Sequence, residues 1–92
     1  MPRYLVERVF PQGLRVPSSA RGAEGCAGVV AKNAEEGVTW LHSYVTRDSR
    51  TTFCVYDGPT PEAVRRAAER NRFSVTRITE VRVLDPYFYY HL

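Results

Sequence analysis

Trp40, His42 and Tyr44 occupy alternate positions of VTWLHSYV, residues 38–45, so a regular strand sends all three side chains from one face. An imidazole between two aromatic rings is a candidate metal ligand or acid–base group. A strand built for packing alone would carry Val, Ile or Leu there. The next run, TFCVYD at residues 52–57, adds Cys54, Tyr56 and Asp57. Asp57 also suits the turn that follows, as Asp85 suits the stop before Pro86. Glu7 lies between Leu5 and Val9 in an apolar stretch. A buried carboxylate there needs a partner, for which Arg8, Arg82 or a bound cation is available. The second histidine, His91, stands next to the last residue.

These groups form no complete catalytic or metal signature. There is no nucleophile–base–acid set, no phosphate-binding glycine motif and no zinc spacing. The two cysteines, Cys26 and Cys54, make neither a CxxC pair nor a disulfide framework, and small buried thiols are the expectation for both. An iron–sulfur cluster, which needs about four cysteine ligands, is excluded by that count.

The elements that must position these residues follow from periodicity. Arg3–Phe10 alternates large and charged residues and reads as a first strand, ended by Pro11-Gln12-Gly13. Ala23, Cys26, Ala27, Val30, Ala31 and Ala34 recur at helical steps within residues 21–36, forming one amphipathic stripe. Gly22, Gly25 and Gly28 weaken that helix, while Asn33 and Gly37 suit its end. Residues 38–57 form a hairpin turning at residues 47–50. Thr60 then offers a cap, Pro61 fits the first helical position and Glu62 complements the dipole of a helix over residues 61–71. That helix should bury Ala63, Val64, Ala67 and Ala68. A last strand covers residues 75–84.

The order β-α-β-β-α-β predicts an α+β, ferredoxin-like domain over residues 1–92, with one antiparallel sheet and two helices on one face. The tail PYFYYHL is expected to add a short C-terminal strand or dock on a partner. With Leu41, Ser43, Val45, Phe53 and Val55 assigned to the helix side, His42, Tyr56, Glu7, Glu80 and Arg82 line the open side. A slip of one residue swaps the faces.

Composition bounds the partners. The net charge of +3 is carried mainly by arginine. Arg65, Arg66, Glu69 and Arg70 read as the wet side of a helix rather than a nucleic-acid surface. No apolar run reaches the length of a membrane span, and residues 1–10 lack the pattern of a signal segment, so a cytoplasmic protein is the expectation. A core built from only 92 residues is small, and dimerisation is a natural way to enlarge it.

The stretches VERVF, GVTWLHSYV, TFCVYDGPTPEAVRRAAERN and ITEVRVLDPYF resemble short actinobacterial proteins assigned to a domain of unknown function and labelled nickel-binding. The resemblance spans nearly the whole chain. It implies a ferredoxin-like subunit, a homodimer and Ni2+ at the dimer surface, without established catalytic activity. Arg72-Phe73, where the family tends towards a Gly-Leu-like pair, and the PYFYYHL end depart from the pattern. Ni2+ favours imidazole with carboxylate, backbone and water ligands. Two histidines cannot supply an imidazole-rich site in one subunit, so any site must combine His42 or His91 with Glu, Asp or water, or borrow donors across a two-fold axis; His42 is the leading ligand candidate, with Glu7, Asp57 and His91 behind it. The competing reading is a dimeric α/β-barrel enzyme (monooxygenase, isomerase or cyclase type) acting on a small organic substrate. It would use His42 as acid–base, Tyr44 or Tyr56 as donor and Glu7 or Arg82 as electrostatic partner. A third reading is an interaction module using a sheet edge or the aromatic tail.

Overall fold

The chain is described from a computed structural model covering residues 1–15 and 19–87. Its elements are β1 (Arg3–Val9), α1 (Ala20–Ala34), β2 (Thr39–Val45), β3 (Thr51–Asp57), α2 (Pro61–Arg70) and β4 (Arg77–Val81). The strands form one antiparallel sheet in the order β2-β3-β1-β4. This is the ferredoxin-like α+β architecture. Of the aromatic tail, residues 88–92, His91 among them, lie outside the described residues. Tyr87 itself is exposed after a turn in which Asp85 accepts its backbone N–H.

α2 forms for local reasons. The Thr60 hydroxyl accepts the Ala63 N–H at 3.1 Å, and Pro61 supplies a preset φ in the first turn. The helix buries Ala63, Val64, Ala67 and Ala68, as its sequence pattern requires. These residues are small, so the sheet must fill the layer with larger groups. Tyr4 and Val6 of β1 and Cys54 and Tyr56 of β3 do so, with Val38, and with Trp40 and Ile78 packed alongside. Gly58 allows the close turn into α2: a Cβ there would meet Val64 at 3.2 Å and Val38 at 3.3 Å.

α1 presents a different face from the one its apolar residues suggest. Gly22 and Asn33 are buried and Cys26 and Val29 half-buried, whereas Ala23, Ala27, Ala31 and Ala34 are exposed and Val30 is 50% exposed. Asn33 fixes the helix at its end. Its side-chain oxygen accepts the Asn71 amide at 3.0 Å, and its carbonyl accepts the Glu36 and Val38 N–H groups. Two helix ends are thereby joined by a polar contact that a hydrophobic pattern does not reveal. Gly37 follows with φ +69°, where a side chain would be strained. Glu36 reinforces the contact, accepting from Arg66 at 2.8 Å and Arg70 at 2.7 Å. The exposed arginines of α2 are thus partly engaged by α1.

In the hairpin turn, Thr46 and Thr51 pair on either side of residues 47–50. The Asp48 carboxylate accepts the Thr46 hydroxyl at 2.7 Å and the Arg50 N–H at 3.0 Å, and Ser49 takes φ 60°. The Arg50 N–H, then the Thr46 hydroxyl, hold the Asp48 carboxyl below its usual pKa.

Candidate functional site

The register of β2 on β3 shifts between Trp40 and His42, leaving Leu41 as an extra residue. Such a bulge breaks the two-residue alternation. Trp40 pairs with Tyr56 on the helix side, and Ser43 pairs with Cys54 on that same side. The Trp40 indole N–H donates to the Ser43 hydroxyl at 2.8 Å across the bulge. His42 and Tyr44 pair with Val55 and Phe53 on the open face. The expectation that Trp40, His42 and Tyr44 share one face therefore fails for Trp40 and holds for the other two.

The same register corrects β3. Phe53 and Val55 look to the open face, while Cys54 and Tyr56 enter the core, the reverse of the expected assignment. The cause is β1, whose inward set is Tyr4, Val6 and Arg8, directly paired with Tyr56, Cys54 and Thr52. Glu80 pairs with Tyr4 and so shares its side, while Arg82 lies beyond β4. The imagined cleft of Glu7, Glu80, Arg82, His42 and Tyr56 is accordingly divided by the sheet. The enzymatic set of His42 and Tyr56 is divided with it.

Three metal-ligand candidates do share the open face, in different rows. His42 stands in the row His42–Val55–Leu5–Thr79, exposed, with its ring edge-on to Tyr44 at 5.2 Å. Glu7 stands in the row Tyr44–Phe53–Glu7–Arg77. It is half-buried, and its partner is Arg77 at 3.7 Å, rather than Arg8 or Arg82. Asp57 faces Thr39 and Arg3, and Arg3 binds it through Nε at 2.9 Å and Nη2 at 3.5 Å. That contact holds the Asp57 carboxyl below its ordinary pKa. Glu7 lies two strands from His42, about 10 Å across the sheet. Among the described residues no group of three or more His, Cys, Asp or Glu side chains stands close enough to hold an ion. His42 has the chemistry of a Ni2+ ligand, and among the described residues no further His, Cys, Asp or Glu pair stands close enough to complete a site with it.

The open face is also apolar. Leu5, Phe53 and Val81 are half-buried there, Val9 is exposed and Tyr44 is 63% exposed.

Sequence reading missed the inward charge on β1. Arg8 is only 3% exposed, behind Tyr4 and Val6 on the helix side. Its guanidinium lies over the rings of Tyr56 at 5.6 Å and Phe73 at 5.2 Å, and Nη1 donates to the Tyr56 hydroxyl at 3.1 Å. The available signal was that Tyr4-Val6-Arg8 is as good an inward set as Leu5-Glu7-Val9. Either choice buries one charge.

A small ferredoxin-like α+β domain with an exposed histidine on its open sheet face is the class of protein that fold and geometry define. Residues 4–81 match the family model described as nickel responsive protein SCO4226-like, and the chain belongs to that family. The crystal structure of SCO4226 from Streptomyces coelicolor A3(2) superposes with a TM-score of 0.69 at 23% identity, over 90% of this chain and 99% of that one. That likeness shows the shared fold. No curated protein matches. Among the described residues no helix is long and apolar enough to cross a membrane.

Proposed function

We propose that this chain is a homodimeric, non-enzymatic protein that binds Ni2+ on the open face of its sheet, with His42 as the first ligand. The observation that carries the reading is His42 itself: an exposed imidazole on the face that also bears Glu7 and Asp57, in a member of a nickel-responsive family. Because the described residues leave the donor set incomplete, further ligands come from a second copy, from water, or from His91 of the tail. A second copy is favoured by the apolar row on that face, which two sheets packed together would remove from water. Glu7 and Asp57 are the carboxylates within the same face, and each would have to leave Arg77 or Arg3 to ligate. Such an open, partly carboxylate site suits reversible binding in the cytoplasm.

Calorimetry with NiCl2 on tag-free protein tests the assignment. Wild type should bind nickel in a fixed ratio to the dimer, and His42→Ala should lose at least tenfold in affinity. Unchanged binding by His42→Ala would remove His42 from the site.

A further inference from the structure

On the other side of the sheet, away from His42, a cavity of about 540 Å³ opens between α1 and the inner faces of β2 and β3. Its volume falls within the range of pockets that take small organic ligands. Phe10, Leu14, Val29, Trp40 and Val45 give it apolar walls, and among the described residues no acidic one lines it. Gly22 and Gly25 keep α1 from filling it, and a Cβ placed on Gly25 would meet nothing within 4 Å.

Arg8 stands in the lining. Among the described residues no carboxylate reaches it, and its Nε is buried without a hydrogen-bond partner. Tyr56 offers no counter-charge, because burial raises its phenol pKa above the ordinary value despite the nearby guanidinium. The faces of Tyr56 and Phe73 offset part of the desolvation of Arg8. A buried guanidinium whose Nε lacks a partner is costly to keep, and an anion arriving in the cavity would offset that cost. Arg15 and Arg21, both exposed, also line the cavity and add positive potential.

We propose that this cavity binds a small organic monocarboxylate with an apolar body, its carboxylate held by the Arg8 guanidinium and its body lying against Trp40, Phe10 and Val29. A guanidinium is matched to a carboxylate by its planar fork of donors, and the walls fit a chain or ring of modest size. This site is separate from the proposed nickel site, and its outcome leaves that one untouched.

Trp40 is the sole tryptophan and lines the cavity, so its fluorescence reports occupancy. Titration with sodium octanoate should give a saturable change, while octanamide, with the same chain and no charge, should bind at least tenfold more weakly. Gly25→Leu projects a side chain into the cavity from a helix that tolerates leucine better than glycine. It should keep or raise the melting temperature and weaken octanoate at least tenfold. Arg8→Met, where folded by circular dichroism, should bring octanoate down to the affinity of octanamide. Absence of saturable octanoate binding to wild type, equal affinity for octanoate and octanamide, or full octanoate affinity in Gly25→Leu would each overturn the proposal. The Gly25 variant decides even if Arg8→Met fails to fold.

Discussion

At the scale of single residues, Arg72 shows what this chain tolerates. It follows the Asn71 cap of α2 with φ 58°, a left-handed conformation that favours glycine. Glycine would take this conformation without strain. Arg72→Gly should relieve strain and raise stability by about 0.5–1 kcal/mol, after allowing for the freer unfolded chain. Urea denaturation would show it, and a fall in stability would mean that the Arg72 side chain matters more than its backbone. The neighbouring Phe73 has a different task, covering the Arg8 guanidinium. His42 was legible as a candidate because imidazole on a strand stands out by type. Arg8 was not, since its direction depends on which face of β1 meets the helices, and the alternation alone leaves two solutions.

Among the elements, α2 and the bulge of β2 mark the limits of sequence reading. The cap, the proline and the buried alanines and valine of α2 are all local signals, so both its extent and its buried face could be read directly. Thr60→Ala should destabilise by about 1 kcal/mol, because the Ala63 N–H loses its acceptor. Thermal denaturation measures this, and Thr60→Ser should restore most of it. The bulge at Leu41 arises from pairing with β3, a contact distant in sequence, so a strict alternation misplaced Trp40. Ser43→Ala removes the hydroxyl that accepts the Trp40 indole N–H and should cost about 1 kcal/mol. Near-ultraviolet circular dichroism of Trp40 should change with it; an unchanged spectrum and stability would show that the bulge holds without this bond. The inward face of α1 is not legible from its apolar stripe, because it carries Gly22, Cys26, Val29 and the polar Asn33, which is a buried link to Asn71 as well as an end signal.

For the molecule as a whole, the ferredoxin-like order was legible because six separate runs follow one another as β-α-β-β-α-β, and that order admits few topologies. The placing of site residues was less legible, since it depends on the register between strands distant in sequence. Acid sensitivity is a property of the entire subunit. Three carboxyls sit below their ordinary pKa values: Asp57 through Arg3, Glu36 through Arg66 and then Arg70, and Asp48 through Arg50 and then Thr46. Each contributes stability that is fully present above the unfolded-state value of about 4 and lost as pH falls through the lower folded value. The melting temperature should thus vary little between about pH 7 and 5 from these groups and fall below about pH 4. Asp57→Asn and Glu36→Gln together should flatten that fall, and an undiminished slope would assign it to other groups.

The proposed nickel site on the open face, with donors from a second copy, is open to a direct test. Anomalous diffraction at the nickel edge from crystals of tag-free protein soaked in NiCl2 would locate the ion directly. The account predicts a peak beside the imidazole of His42, with the remaining protein donors shared between two copies. A peak on the helix side beside Cys26 or Cys54, or no ordered nickel near His42, would contradict it.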